Sequence, residues 1–123
     1  MKTYRELLVW QKSMLLVTEI YKLSKSFPKD ESYGLTSQIR RCAVSIPSNI
    51  AEGYGRNSTS DYIRFLNIAV GSLYESQTDM EIALNLQYID RHNFDKLYES
   101  SREIERMLSS LIRKLNNRKT GKL

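Results

Sequence analysis

The sequence predicts an all-α protein, an antiparallel four-helix bundle of up-down-up-down topology formed by a single domain over residues 1–123. In four long segments, apolar residues recur at spacings of three and four, the period of an amphipathic helix. With two prolines and five glycines, the chain has few of the residues that mark turns in all-β or loop-rich proteins. The segments are joined by short connections, which favour antiparallel packing of consecutive helices.

The first segment predicts a helix over residues 4–26. Residues at helical spacing form two neighbouring stripes, Leu7, Trp10, Met14, Val17, Tyr21 and Ser24 in one and Leu8, Leu15, Leu16, Ile20 and Leu23 in the other. Two stripes are more than one intramolecular seam needs, so the surplus indicates a further contact. Phe27-Pro28 ends the helix, because the residue before proline is disfavoured in the α region.

The second segment predicts a helix over residues 33–53. Two acids and a capping hydroxyl precede it, at Asp30, Glu31 and Ser32. The residues expected to be buried are Leu35, Ile39, Cys42, Ala43, Ile46 and Ile50. Pro47 removes one backbone hydrogen bond and clashes with the carbonyl of Ala43, which predicts a kink at Pro47. Gly53 is expected to end the helix in the left-handed conformation.

The third predicted helix, over residues 59–86, opens with Ser58-Thr59-Ser60-Asp61, a capping box in which Asp replaces the usual Glu or Gln. Its buried seam is expected to contain Tyr62, Leu66, Ala69, Leu73, Met80 and Ala83. Gly71 lies in the middle of this helix, where glycine is about 1 kcal/mol less favourable than alanine. We therefore expect a neighbouring helix to approach closely at Gly71.

Asp90 is expected to cap the fourth helix, over residues 91–117. The residues of its buried seam are Phe94, Leu97, Ser101, Ile104, Leu108, Leu111 and Leu115. A basic C-terminal tail, residues 113–123, contains no acid, and its cations are Arg113, Lys114, Arg118, Lys119 and Lys122. Cations at this position complement the dipole of the helix and are equally suited to phosphate contacts.

The composition, with 41% hydrophobic and 27% charged residues, is that of a soluble globular protein. Its net charge of +5 suits either solubility alone or a polyanionic partner such as nucleic acid. No apolar run approaches the roughly 18 residues that span a membrane, and the N-terminus has no signal-peptide cleavage site. The single cysteine, Cys42, excludes an internal disulfide and fits a reducing cytosol. We therefore expect a cytoplasmic protein with no membrane partner.

Residues that carry enzyme chemistry form no recognisable motif, so we expect no enzymatic activity, metal, cofactor or small-molecule substrate. The one histidine, His92, cannot form the Glu-x-x-His pairs of a di-iron bundle. Cys42 lies on an apolar helix face without a histidine at motif spacing to activate it. Gly53-Tyr54-Gly55-Arg56 follows a helix, whereas a P-loop follows a strand and ends in Gly-Lys-Ser/Thr. A small enzyme would require Arg41, Glu52 and His92 to meet in one pocket.

A polar stripe runs along the second helix opposite its apolar face, at Gln38, Arg41, Ser45, Asn49 and Glu52. Ion pairing of Arg40, Arg41 and Glu52 between helices or subunits is favoured, and contact of the arginines with phosphate is the alternative. The candidate residues for contact with nucleic acid or a partner are Arg40, Arg41, Arg56, Arg113, Lys114, Arg118 and Lys119.

Three segments, "LLVWQKS", "FPKDESYGLTSQIRRCAVSIPSNIAEGYGR" and "FLNIAVGSLYES", together resemble the bacterial four-helix-bundle proteins encoded in intervening sequences of 23S ribosomal RNA genes, also called the S23 ribosomal protein family. The resemblance covers roughly residues 4–86. Residues that match the family pattern are Trp10, Phe27, Pro28, Glu31, Leu35, Gln38, Arg41, Ser45, Pro47, Asn49, Glu52, Gly53, Gly71 and Ser72. Cys42 stands where the family more often has alanine, and Ser76 where leucine is common.

The resemblance implies a bundle that assembles as a ring, a homopentamer in known members, without established enzymatic activity. Related accessory proteins of diversity-generating retroelements form a basic pentameric barrel that binds a reverse transcriptase and nucleic acid. The surplus stripe, the basic tail and the resemblance together predict a non-enzymatic, oligomeric scaffold that binds RNA, DNA or a nucleic-acid-processing protein. The alternative is a protein–protein adaptor, whose binding would resist nuclease and high salt.

Overall fold

Four long helices pack side by side, and each contacts two neighbours. The computed structural model describes residues 3–119 and Gly121. Its elements are α1 Leu8–Ser24, α2 Leu35–Tyr54, α3 Thr59–Asn85 and α4 Arg91–Lys119, with short 3-10 turns at Tyr4–Glu6 and Lys29–Glu31. Consecutive helices are in contact and α1 also contacts α4, a pattern consistent with an up-down four-helix bundle. The predicted all-α fold of four helices is confirmed.

The apolar stripes of the helices meet in one core. Its largest fully buried apolar side chains are Leu16, Ile20, Ile46, Ile50, Leu66, Leu73, Met80, Ile104 and Leu108. Burial of a Leu, Ile or Met side chain contributes about 1.5–3 kcal/mol relative to leaving it in water, so this cluster is the main source of stability. None of the described helices is long and apolar enough to cross a membrane.

Helix α1 begins later than predicted because the chain changes direction at Leu7. Tyr4–Glu6 form a 3-10 turn, and Leu7 is extended, with φ −72° and ψ 121°. Gln11 closes this turn by donating from Nε2 to the carbonyl oxygen of Arg5 at 2.8 Å. The structure therefore has two elements where one helix over residues 4–26 was predicted.

The buried face of α1 differs from both predicted stripes. The buried residues of the helix are Val9, Ser13, Leu16, Ile20 and Ser24. Ser13 and Ser24 tolerate burial because their hydroxyls donate to the carbonyl oxygens of Val9 (2.7 Å) and Tyr21 (3.3 Å). The exposed large apolar residues of α1 are Leu8, Met14, Leu15 and Tyr21. They lie on both flanks of the buried face, so α1 presents apolar surface on two sides.

Helix α2 passes through Pro47 as one continuous element and ends at Tyr54. Pro47 is buried, and a proline inside a helix leaves the carbonyl of residue i−4, here Ala43, without its usual donor. The kink at Pro47 stays a prediction.

Two predicted caps are confirmed. The Oγ atom of Ser58 accepts a hydrogen bond from the backbone N–H of Asp61 at 3.1 Å, at the start of α3. Oδ1 of Asp90 accepts one from the backbone N–H of Asn93 at 2.8 Å, at the start of α4. Each bond satisfies a donor that the first turn of a helix leaves unpaired.

Two glycines have roles other than those predicted. Gly53 lies inside α2 and does not have a positive φ, so the expected left-handed conformation is wrong. A Cβ atom on Gly53 would lie 2.8 Å from Cβ of Phe65 and 3.1 Å from Cδ1 of Tyr62, which makes this the point where α3 approaches α2 closely. Apart from the local backbone of α3, a Cβ atom on Gly71 would meet no described atom within 4 Å, so the expected close approach there is wrong within a single chain.

Glu31 connects the start of α2 to the segment between α3 and α4. Its Oε1 accepts a hydrogen bond from the backbone N–H of Leu35 at 3.1 Å, and its Oε2 accepts one from the hydroxyl of Tyr88 at 2.8 Å. These two bonds favour the carboxylate and lower the pKa of Glu31. Gly34 leaves room for the carboxylate, since a Cβ atom there would lie 2.7 Å from Oε1. Glu31 is therefore the side chain that caps α2, rather than the predicted hydroxyl of Ser32.

We expect Glu31→Ala to lower the melting temperature, and Glu31→Gln to lower it less because glutamine keeps an acceptor. A carboxyl whose pKa is lower in the folded state contributes stability above its unfolded pKa, about 4.3, and this contribution is lost as the pH falls through the folded pKa. Thermal unfolding from about pH 3 to 7 should therefore show a smaller acid-induced loss for Glu31→Ala than for the wild type. Equal acid sensitivity of the two proteins would contradict the assigned bonds.

Candidate nucleic-acid interface

Cations from four parts of the chain lie at one end of the bundle, because consecutive helices alternate in direction. This end combines the starts of α1 and α3 with the ends of α2 and α4. Leu7–Val9 and Lys114 line the same open cavity of about 460 Å³, and Gly53 contacts Phe65. The cations of this basic end are Arg5, Arg56, Arg64, Arg113, Lys114, Arg118 and Lys119.

Every cation of the basic end except Arg5 and Arg64 was predicted from the sequence as a candidate contact residue. The missing signal was topological: in an up-down bundle, the starts of the first and third helices lie beside the ends of the second and fourth. The tail cations are close together in the sequence, whereas Arg5 and Arg64 are close to them only in the folded bundle.

Two guanidinium groups of the basic end stack on one aromatic ring. The guanidinium carbons of Arg56 and Arg64 lie 4.6 and 4.5 Å from the ring centroid of Phe65. Arg56 also pairs with Glu52 at 3.3 Å, and Arg64 with Asp61 at 3.2 Å. The ring and the acids hold both guanidinium groups in place, and the acids partly compensate their charge.

Unlike Arg56 and Arg64, the tail cations have no described acid that compensates their charge. Arg113, Lys114, Arg118 and Lys119 are exposed, and none of them pairs with another described residue. No acid occurs between Ser110 and Lys119. The predicted tail extends to residue 123, but residues 120, 122 and 123, with Lys122 among them, lie outside the described part of the chain. The described tail is therefore the part of the basic end best suited to phosphate contacts.

Arg40 lies away from the basic end and connects α2 to the last turn of α1. Its Nε donates to Oγ of Ser24 at 2.8 Å, and its Nη2 donates to the carbonyl oxygen of Tyr21 at 3.2 Å. The guanidinium carbon also lies 4.7 Å from the ring centroid of Tyr21. Arg40 thus satisfies groups at a helix C-terminus, a structural role that uses hydrogen bonds rather than the expected ion pair.

The three residues that a small enzyme would require do not meet. Arg41 and Glu52 are 11 residues apart on α2, about 16 Å along the helix. Arg41 donates to Oγ of Ser37 at 3.0 Å, and Glu52 pairs with Arg56. His92 lies in the first turn of α4, in the lining of a cavity that contains neither Arg41 nor Glu52.

Most of the predicted polar stripe lies against polar residues of α3. This polar seam consists of Gln38, Cys42, Ser45 and Asn49 from α2 and Ser72, Ser76 and Asp79 from α3. Gln38 donates from Nε2 to Oδ1 of Asp79 at 2.9 Å. Ser72 donates to Oγ of Ser45 at 2.9 Å. Among the described residues, no buried side-chain nitrogen or oxygen lacks a hydrogen-bond partner. The seam therefore joins α2 to α3, while Arg41 and Glu52 lie on its exposed border.

Asp79 is a buried carboxyl that was not among the residues predicted from the sequence. Its exposed fraction is 1%, and its described partners are the neutral donors Gln38 and Cys42. Burial raises the pKa of Asp79, and the nearby charge of Glu75 acts in the same direction. The spacing of three and four from Ser72 through Asp79 to Ala83 was the signal that could have placed it on the buried face.

Cys42 lies beside Asp79, and its thiol is expected to be unreactive. Its Sγ is 3.2 Å from Oγ of Ser76 and 3.4 Å from Oδ2 of Asp79. Burial raises the pKa of the thiol to about 11, so the sulfur stays protonated and is a poor nucleophile at neutral pH. Cys42 and Ser76 therefore contact each other across the α2–α3 seam.

Metal binding finds no support in the geometry of the described residues. Among them, no group of three His, Cys, Asp or Glu side chains is placed to hold a metal ion.

Comparison with known proteins identifies the relatives of this chain. Residues 5–110 match the model of the 23S rRNA-intervening sequence protein family. The crystal structure of a Bacteroides thetaiotaomicron protein of unknown function from the S23 ribosomal protein family superimposes with a TM-score of 0.78 at 30% sequence identity, over 85% of this chain and 98% of that protein. No curated protein is significantly similar to the chain. The chain belongs to the 23S rRNA intervening-sequence protein family.

Proposed function

We propose that this protein is a non-enzymatic, oligomeric scaffold of the bacterial cytoplasm that binds RNA, or another nucleic acid, through its basic end. The observation that carries the proposal is the described tail, with four exposed cations and no acid, beside three further cations from other elements. Phosphate contacts by Lys and Arg supply most of the affinity in binding that is not specific for sequence. A nucleic-acid-processing protein is the second partner class of the same proposal.

Oligomerisation would strengthen the binding of nucleic acid by bringing together several basic ends of modest charge. The exposed apolar side chains on both flanks of α1 support self-association. In a ring of parallel copies, a homopentamer in the form that we propose, every basic end would point in the same direction. One RNA could then contact several copies, so that weak contacts add to a high avidity.

The proposal of a non-enzymatic role has its own support. The thiol of Cys42 stays protonated, and Arg41, Glu52 and His92 are separated. A chemical step would need an activated nucleophile or a convergent acid and base.

The basic end is tested by removing three tail cations in the triple variant Arg113→Gln, Arg118→Gln, Lys119→Gln. Binding of a fluorescent structured RNA is measured by anisotropy between about 50 and 150 mM salt, a range across which the Debye length changes appreciably. We expect the affinity to fall about tenfold or more. The slope of log affinity against log salt should decrease by about one for each phosphate that the variant no longer neutralises.

A matched control removes three cations from the opposite end, in the variant Lys25→Gln, Lys29→Gln, Arg91→Gln. Both variants have the same net charge, so a site predicts a much larger loss for the tail variant. Equal losses would show that only net charge matters. Undetectable binding by the wild type would refute the nucleic-acid part of the proposal, and a partner retained in high salt after nuclease treatment would favour the adaptor function instead.

A further inference from the structure

Two opposite faces of the bundle carry features that no contact within one chain explains. Among the described residues, no Cα atoms of α1 and α3, or of α2 and α4, lie within 8 Å of each other, so the α1–α4 pair and the α2–α3 pair form opposite sides of the bundle. We call these sides the α1–α4 face and the α2–α3 face.

The α1–α4 face projects apolar side chains beside open space. Leu8 is 55% exposed and Leu15 is 66% exposed, the largest exposed fractions among the apolar residues of α1. Leu8 borders the cavity of about 460 Å³ next to Met107 and Leu111, and Leu15 borders a smaller one of about 120 Å³ next to Ile104. This face therefore has protruding leucines and unfilled space next to them.

The α2–α3 face is smooth by comparison. Apart from the local backbone of α3, no described atom lies within 4 Å of where a Cβ on Gly71 would be, and Ser48 is exposed on the neighbouring helix. Ile68 and Ile82, exposed by 42% and 39%, lie on either side of Gly71 along α3. Small residues with flanking apolar side chains allow another helix to approach closely, and they explain a glycine that has no role within the chain.

The charges of the two faces match in only one relative direction. One level of the bundle is marked by the contacts Gln38–Asp79, Gln77–Ser101 and Lys12–Glu103. Arg41 on the α2–α3 face and Glu103 on the α1–α4 face both lie within one helical turn of this level. Towards the basic end, Glu52 lies about 21 Å from Gln38, and Lys114 lies about 20 Å from Ser101.

Parallel stacking of two copies therefore places Arg41 level with the next copy's Glu103, and Glu52 level with its Lys114. Inverting one copy about the middle of the bundle would instead place Arg41 level with the next copy's Arg106 and Glu52 level with its Asp95, which are like charges. Complementary charges select partners and orientations because like-charge contacts are strongly unfavourable.

We propose that the α1–α4 face of one copy docks against the α2–α3 face of the next copy, with the bundles parallel. Leu8 and Leu15 pack on the smooth strip around the next copy's Gly71, and Arg41 pairs across the contact with the next copy's Glu103. The contact is head-to-tail, the type that generates a ring when its rotation closes. This inference rests on the proposed oligomer and names its contact surface.

The test uses one variant for each face, Leu8→Gln with Leu15→Gln, and Gly71→Gln. Light scattering at micromolar concentration should give the wild type a multiple of the 14.4 kDa chain mass and each variant the mass of one chain. A mixture of the two variants should form a 1:1 dimer and nothing larger, because only one intact pair of faces remains. Glu81→Gln, an exposed change elsewhere on α3, should leave the wild-type mass unchanged.

A charge exchange tests the orientation. Arg41→Glu should weaken assembly about tenfold or more, and adding Glu103→Arg should restore it. Circular dichroism establishes that each variant is folded. A monomeric wild type would refute the proposed oligomer itself. An oligomeric wild type whose mass survives both face variants would refute only this contact surface, and variants that dissociate but do not combine when mixed would refute the head-to-tail arrangement.

Discussion

Replacing Gly53 by alanine is expected to destabilise the protein by about 1–3 kcal/mol, although alanine is the better helix former. The added methyl group would lie 2.8 Å from Cβ of Phe65 and 3.3 Å from the carbonyl oxygen of Tyr62. A Cβ atom and a backbone oxygen cannot rotate away, so α3 would have to move from α2. Urea unfolding followed by circular dichroism measures the change in the free energy of unfolding.

The matched control is Gly71→Ala, for which we expect the opposite sign. The same substitution in a helix interior should stabilise the chain by about 0.5–1 kcal/mol, because beyond the local backbone of α3 the methyl group meets no atom of the described residues within 4 Å. Both changes should be measured in the Leu8→Gln, Leu15→Gln background, so that self-association does not contribute to stability. Stabilisation by both substitutions would contradict the close approach of α3 at Gly53.

Asp79→Asn is expected to stabilise the protein above neutral pH by an amount on the order of 1 kcal/mol, the scale on which a buried polar group with imperfect partners affects stability. Asparagine can still accept the hydrogen bond from Gln38, and it removes a charge that has no described cationic partner. The neutral amide of asparagine also places no ionisable group next to Cys42.

The pH dependence gives the sharper readout. Burial raises the pKa of Asp79 in the folded protein. The contribution of this group to the free energy of unfolding is therefore fully present below the unfolded pKa, about 3.9, and is lost as the pH rises through the folded pKa. The stability of the wild type should therefore fall relative to Asp79→Asn as the pH rises, the reverse of the trend expected from Glu31. A constant difference between the two proteins across that range would show that Asp79 titrates normally.

The contrast between Gly53 and Gly71 shows that the helical pattern predicts the helices but not the role of a glycine within them. Spacing of apolar residues and capping residues is local, so the four helices and the caps at Ser58 and Asp90 could be predicted. A glycine in a helix can relieve a close approach or serve a turn, and the choice depends on which backbone lies opposite. Only the crossing of α2 and α3 decides it.

The residues of the candidate site also fall into two groups, those predicted from the sequence and those placed only by the fold. The tail cations were found because charge along a sequence is visible without a fold. Arg5 and Arg64 lie beside them only because the helices pack side by side in alternating directions. Arg40 lies outside the basic end and bonds to the last turn of α1, a contact between residues 16 and 19 positions apart that no local pattern specifies.

By itself, the amino-acid sequence determined the four long helices, the basic tail and the family resemblance, because these depend on periodicity, local hydrogen bonding and residue identity. The tertiary structure alone decided which polar residues are buried together, as with Asp79, Cys42 and Ser76, and which apolar side chains of α1 remain exposed. Burial is a property of the packed helices, since each helix face becomes interior or surface only when its neighbours are in place.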